Sequence, residues 1–334
     1  MINVQLLVEV CRKFGIKHIE AISFLPSTFN RNWKIKSDSQ VYILKQKLIS
    51  NIQEMHHETI VTQLLSNIDG IVIAPVLHTE LDQLTTICWK GYSYAMFGYI
   101  EGKQPTNRLN DLSLLATALA TMHKGSSNVL FIAKYKELHL KLWSVSNWAN
   151  SAAKRFLSNG HIHSKHCPLT INLNKSLETL SAAQYKGRLP ISAIHWDYHS
   201  GNMVITENKQ VAIFDHEYTH PDVRVADLAN SIILNTCLDI ANINYDDPAS
   251  FIQSCKINYK KFEVFIRSYC RVSPITKSEL VLFPEFLQVA WSGWCLYTFI
   301  AIPKTIEKIS HANYFSQWVE KNKKNIVQLL LSIT

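Results

Sequence analysis

Polar and apolar positions along this 334-residue chain separate a strand-like beginning from a helical remainder. Short apolar or alternating runs at residues 22–24, 33–36 and 41–46 are divided by polar turns such as Lys36-Ser37-Asp38-Ser39, which predicts three strands. A helix is expected at 54–66, with Ile60, Val61, Leu64 and Leu65 on one face, then two more strands at 71–77 and 92–99. Helical periodicity dominates afterwards, at 112–123, 136–158 and 172–183. Three short strands interrupt it, at 191–194, 203–205 and 211–214, the last two joined by a turn over 206–210. After Asp227 the helical pattern resumes to the end, with a break at Asp246-Asp247-Pro248. Residues 1–20 mix apolar positions with Glu9, Arg12, Lys13 and Lys17, an amphipathic helix rather than a secretory leader. The order implies an α+β architecture: a β-rich first lobe, then a helix-rich second lobe containing a β hairpin.

Composition narrows the partners. Hydrophobic residues make up 47% and charged ones 18%, a globular balance. Lys and Arg number 34 against 26 Asp and Glu, but the basic residues are scattered apart from Lys321, Lys323 and Lys324. With no reading motif beside that charge, nucleic acid is not an expected partner. The seven cysteines are dispersed without a CxxC pair, which reads as reduced thiols in a cytoplasmic protein. Residues 286–303 carry no charge, yet Gln288, Ser292, Gly293 and Thr298 interrupt them, so a buried helix is expected and no membrane span. His161, His163, His166 and Cys167 cluster without a second ligand pair, which leaves zinc unexpected.

The hairpin carries the candidate chemistry. Asp197 and Asn202 lie five apart in a tight loop leaving a strand, and Asp215 ends the return strand. Asp and Asn also favour turns, so it is the joint spacing that sets them apart. Two carboxylates and an amide oxygen at one end of a hairpin suit Mg²⁺, with one carboxylate left to face an acceptor hydroxyl. Phosphoryl transfer needs little beyond such positioning and charge neutralisation.

The pattern His-x-Asp-x-x-x-x-Asn, followed by a strand ending in Asp, resembles the aminoglycoside phosphotransferase, choline kinase and type II homoserine kinase superfamily over nearly the whole chain. That resemblance implies a bilobal protein-kinase-like fold, with a nucleotide-binding lobe at 1–97, a hinge at 98–102 and a catalytic and acceptor lobe at 103–334. It implies ATP and Mg²⁺ as cofactors. Asp197 would be the base, His195 would brace its loop, Asn202 and Asp215 would hold the metal, and Glu217 would stand behind them. Asp227 would start a helix and support the loop, though helix capping explains it equally. Residues 41–45 look like the family's third strand, with Lys45 on the phosphates and Glu58 pairing with it (Glu54 as the alternative). Residues 96–102 resemble the hinge, where backbone groups near Phe97 and Tyr99 would meet adenine. The loop at 25–30 departs from the family because it lacks glycine, and none occurs between Gly15 and Gly70. Side chains of Ser27, Thr28 and Asn30 are the expected substitutes.

The acceptor is less sharply marked. Trp291 and Trp294 are three apart and share a helix face. Choline and ethanolamine kinases are similar here, with a tryptophan pair in an aromatic pocket that attracts quaternary ammonium. Tyr218 and Tyr297 would add walls, although both tryptophans would equally suit a core. Leu234 stands where animal choline kinases would show an acidic residue. Residues 265–269 and 279–280 and Pro284 resemble type II homoserine kinases, and an aminoglycoside-type kinase is a further alternative. Asp215-His216-Glu217 in place of Asp-Phe-Gly, and the short run to Asp227, count against a protein kinase. The presence of Lys45 and Asp197 counts against an inactive binding module. The expected function is ATP-dependent phosphorylation of a small-molecule hydroxyl, with an amino alcohol such as choline or ethanolamine leading.

Overall fold

The computed structural model describes residues 4–25, 30–38, 40–127, 129–138, 144–158, 167–238, 250, 252 and 258–334; Ser27, Thr28, His161, His163 and His166 lie outside them, as does the break at 246–248. Two compact units result, Met1–Lys103 with Met203–Thr219, and Gln104–Asn202 with His220–Thr334.

The first unit contains a five-stranded antiparallel sheet of order β1-β2-β3-β6-β5. Its strands are β1 (Ala21–Leu25), β2 (Arg31–Ser37), β3 (Gln40–Leu48), β5 (Thr86–Trp89) and β6 (Tyr92–Gly98). Because successive strand residues face opposite sides, β3 serves two cores at once. Leu44 packs with Trp33, Tyr94 and Met96 against Leu7, Val10, Cys11 and Phe14 from α1 (Val4–Lys13) and the turn after it. Ile43 faces the other way, toward Ala95, Phe97 and Met55 of α2 (Ile52–Leu65). The same alternation places Lys45 and Lys47 on the α2 side. The buried residues of α2 are Met55, Glu58, Thr59, Val61, Thr62 and Leu65, so Val61 and Leu65 of the expected face are buried, whereas Ile60 and Leu64 are only half-buried. The helix is turned so that its one buried carboxylate meets Lys45.

A three-stranded sheet joins β4 (Val72–Ile73) in parallel to β9 (Val211–Ile213), itself antiparallel to β8 (Met203–Ile205). The strand expected at 71–77 is therefore only two residues long, because Pro75 ends it and packs on the last residue of β6. A Cβ on Gly98 would lie 2.6 Å from Pro75 Cγ, so this crossing requires glycine. The pattern also left β5 and β10 (His220–Val223) unpredicted; β10 pairs with β7 (Ile191–Ile194) in the second unit.

Helices make up most of the second unit: α3 (Leu109–Ser126), α4 (Val129–Glu137), α5 (Val145–Ser158), α6 (Pro168–Ala182), α7 (Arg224–Ile232), α8 (Tyr259–Val272), α9 (Lys277–Ala301) and α10 (Ile309–Ile333). Of the helix expected over 136–158, α5 covers Val145–Ser158 and α4 ends at Glu137, while 139–143 lie outside the described residues. The long α9 opens with a capping box between Thr276 and Glu279 and packs against α5, α6, α7 and α10. Its uncharged stretch is buried against these helices, and no described helix is long and apolar enough to cross a membrane.

Gly293 is where α5 reaches α9, since a Cβ there would stand 2.2 Å from Trp148 Cζ3. Alanine at this helical position would gain up to about 1 kcal/mol in propensity, against about 1–3 kcal/mol for overpacking a ring that is wedged between helices. Gly293→Ala should therefore lower the urea midpoint; an unchanged or higher midpoint would mean that Trp148 is free to move aside.

Candidate active site

In the first unit, the strand alternation that buries Ile43 also buries two lysines. The Lys45 Nζ donates to both carboxylate oxygens of Glu58 at 2.8 Å and to Asp215 Oδ1 at 2.7 Å. Lys47 Nζ donates to Glu217 Oε2 at 2.5 Å, and Asn30 Nδ2 approaches the same oxygen at 3.4 Å. Glu54, the alternative partner of Lys45, is exposed and lies 3.6 Å from Lys47. Asp215 holds a left-handed backbone, φ 61°, directly after β9. That conformation, which Asp tolerates better than most residues, ends the strand and begins the turn His216–Tyr218. Oxygens of Glu58, Asp215 and Glu217 come within 4.8 Å of one another. Burial works against the charge on Lys45, but Asp215, Glu58 and Glu217 outweigh it and hold its pKa above the usual lysine value. Glu58 is pushed up to about 7, first by burial and then by the other two carboxylates, against the pull of Lys45 and Lys47.

In the second unit, the loop after β7 is held by side chains of α7 and the π-helical turn that continues it, Ile233–Cys237. The Asp227 carboxylate accepts the backbone N–H groups of His195 at 2.7 Å and Trp196 at 2.9 Å. It also accepts from His123 Nε2 at 3.0 Å, and the other ring nitrogen meets the Tyr269 hydroxyl at 2.7 Å. Asn230 donates to the Trp196 carbonyl at 2.5 Å and Asn235 to the Tyr198 carbonyl at 2.7 Å. Asp227 is not a cap: α7 begins at Arg224, and its N-cap is Val223. Trp196, fully buried, is left-handed at φ 65°, a conformation a bulky residue adopts only when its surroundings impose it.

Within that loop, the Asn202 amide donates to the Asp197 carbonyl and to Asp197 Oδ2, both at 3.0 Å. This turns the amide oxygen of Asn202 away from Asp197, as a hard oxygen donor of the kind Mg²⁺ takes. The Asp197 N–H approaches His195 Nδ1 at 3.3 Å, and His199 Nε2 stands 3.5 Å from Asp197 Oδ2.

Other expected residues are distributed differently. Trp291 is 1% exposed, donates to the Ala312 carbonyl and packs on Phe315, so it sits in the α9–α10 core. Residues three apart on a helix still differ by about 60° in direction, and that separates the pair. Trp294 donates to Asn230 Oδ1 at 3.0 Å and meets Trp148 and Tyr297 edge to face. These three rings are half-buried. Tyr218 belongs to the turn beside Glu217 in the first unit. Phe97 is buried in β6, while Tyr99 is exposed with Lys34 over its ring. The N–H groups of Gly98 and Tyr99 donate to Pro75 and Val41 carbonyls. Lys47, Trp148, His199 and Asn235 were not singled out by the sequence. The Ile43-Lys45-Lys47 alternation could have found the first; nothing local marks the others.

The sequence matches the phosphotransferase enzyme family, APH, over residues 22–246. No curated protein sequence matches it. Among solved structures, a microcompartment-associated aminopropanol kinase superposes with TM-score 0.70 at 12% identity, covering 97% of this chain and 99% of that one. A choline kinase from Cryptosporidium parvum Iowa II gives 0.66 at 14%, covering 99% of both chains. A spectinomycin phosphotransferase solved with ADP and spectinomycin gives 0.54 at 15%, covering 98% of both. The chain belongs to the APH phosphotransferase family and has its kinase-like fold. It is a small-molecule kinase.

Burial by itself would raise the pKa of Asp227, but the hydrogen bond and charge of His123, the charge of His195 and the His195 N–H outweigh it and hold the carboxyl below its usual value. A depressed folded pKa contributes stability above the unfolded value, near pH 4, and that contribution is lost as pH falls through the folded value. Asp227→Asn should cost about 3 kcal/mol at pH 7 and leave stability less dependent on pH between about 5 and 3 than in the wild type. Chemical denaturation across that range checks it, and parallel pH profiles would refute the assignment.

Proposed function

We propose that the chain moves the γ-phosphate of ATP to a hydroxyl of a small amino alcohol, of the choline or ethanolamine type. The observation that carries phosphoryl transfer is the buried Lys45, held between Glu58 and Asp215. A lysine fixed in this way presents a charge of settled position to phosphate oxygens and needs no reorganisation when they arrive. Residues 1–97 form the nucleotide lobe, 98–102 the hinge and 103–334 the acceptor lobe, with adenine against the strand end at Phe97 and Tyr99. Asp197 orients the acceptor hydroxyl and takes its proton, and His195 keeps the Asp197 backbone in place. Asn202 and Asp215 hold Mg²⁺, with Glu217 behind Asp215. When bound, the ion neutralises charge on the phosphates. ADP in the spectinomycin phosphotransferase of the same fold supports the nucleotide.

The acceptor class rests on Trp148, Trp294 and Tyr297. Their half-buried faces suit an alkylammonium head, and Trp294 is one hydrogen bond from Asn230, which holds the loop that carries Asp197. Fold neighbours that act on aminopropanol and choline support the same class. Homoserine and aminoglycosides are the alternatives. ATP turnover with Mg²⁺ should rise with choline, ethanolamine or aminopropanol and stay at background with homoserine and aminoglycosides. Trp294→Ala should raise the acceptor KM by about 10-fold or more, the equivalent of a desolvated cation–aromatic contact, with the KM for ATP nearly unchanged. Stimulation by homoserine or an aminoglycoside alone would replace the amino-alcohol reading.

A further inference from the structure

We propose that Asn235 is a positioning residue for Asp197, brought to the loop by the π-helical turn Ile233–Cys237; this rests on the reading of Asp197 as the group that takes the acceptor's proton. On an unbroken helix Leu234, about two turns beyond Asp227, would face the loop. The turn inserts one extra residue, marked by the Leu238 N–H donating to the Ile233 carbonyl at 3.1 Å, and shifts that register. Asn235 therefore reaches the same loop as Asp227 and Asn230 and is 2% exposed, whereas Leu234 is only half-buried. Its Nδ2 donates to the Tyr198 carbonyl at 2.7 Å and to the Ser231 carbonyl at 2.8 Å. Both acceptors are carbonyls, so the amide fits in one orientation only.

Three consecutive carbonyls of the loop thereby each receive a side-chain amide: Trp196 from Asn230 at 2.5 Å, Asp197 from Asn202 at 3.0 Å and Tyr198 from Asn235. The backbone on both sides of Asp197 is fixed, and Asn202 also holds its Oδ2 at 3.0 Å. Two observations separate this role from simple support of the fold. Turning a leucine outward and an amide inward runs against the hydrophobic effect, which would favour the unbroken helix with Leu234 inside. The inward amide also leaves its Oδ1 buried without a hydrogen-bond partner among the described residues, a cost that an apolar side chain would not incur. Both penalties fall beside one residue, Asp197, and irregular turns of this kind gather where a reacting group must be held. A base displaced by about 1 Å loses up to about 100-fold in rate.

The test is steady-state kinetics of the full chain with Mg–ATP and the acceptor, among choline, ethanolamine, aminopropanol, homoserine and an aminoglycoside, that stimulates turnover most. Asn235→Leu, which removes the donor at similar volume, should lower kcat about 10-fold and leave both KM values within about 2-fold. In an Asp197→Asn background the same change should cost less than about 2-fold, because no base is left to position. Leu234→Ala, which disturbs the same turn from its other side, should keep kcat within about 2-fold of wild type. Wild-type kcat in Asn235→Leu, an undiminished loss in the Asp197→Asn background, or an equal loss in Leu234→Ala would each overturn the proposal. Should Asn235→Leu not fold, Asn235→Ser, too short to reach the Tyr198 carbonyl, takes its place with the same expectations. Wild-type turnover with none of these acceptors would overturn the reading of Asp197 and this inference together.

Discussion

A carboxylate with no exposure to water, Asp227, organises the second unit. An isolated buried charge is too costly to persist, and this one is stable because donors surround it: two backbone N–H groups from the loop and a histidine ring from α3. The requirement works in both directions. The loop must bring His195 and Trp196 N–H groups to the carboxylate, which imposes the left-handed turn at Trp196 and sets the direction in which the chain enters Asp197. His123 must keep its ring against Asp227, and Tyr269 of α8 fixes that ring from its other side. Helices α3, α7 and α8 and the loop are thereby tied through one negative charge.

The first unit solves the same problem with the opposite sign. Lys45 and Lys47 are ammonium groups on the inner face of a sheet, and each persists because carboxylates reach it from α2 and from the turn after β9. In both units the charged groups are held by partners that are themselves packed. Such rigid charge is what phosphoryl transfer asks of a protein, because electrostatic stabilisation is greatest where nothing has to reorient. The comparison with solved kinases fixes the fold at 12–15% identity, so the residues of the site speak for themselves.

What the sequence revealed and what it hid have a common cause. Asp197, Asn202 and Asp215 were legible because polar residues in short loops at fixed spacing have few alternatives, and Lys45 with Glu58 because strand and following helix are local. Lys47 shares its face of β3 with Ile43 and Lys45, so alternation could place it, but its partner Glu217 is 170 positions away and nothing local names it. The face of α2 was legible in part: Val61 and Leu65 are buried as counted, while Met55 and Glu58 take the places of Ile60 and Leu64. Trp291 and Trp294 looked like a pair in one dimension, but α10 takes one and α5 the other. Strands β5 and β10 went unpredicted and β4 is shorter than the strand expected at 71–77, because tertiary pairing decides which short segments become strands.

The central claim, that this chain makes a phosphate monoester of a small alcohol, is tested most directly by phosphorus NMR of ATP, Mg²⁺ and an amino alcohol incubated with the enzyme. The account predicts a new monoester resonance that grows in step with ADP and falls by about 10³ in rate with Asp197→Asn, the scale of a lost general base. ADP accompanied only by inorganic phosphate, or a monoester formed equally fast by Asp197→Asn, would contradict it.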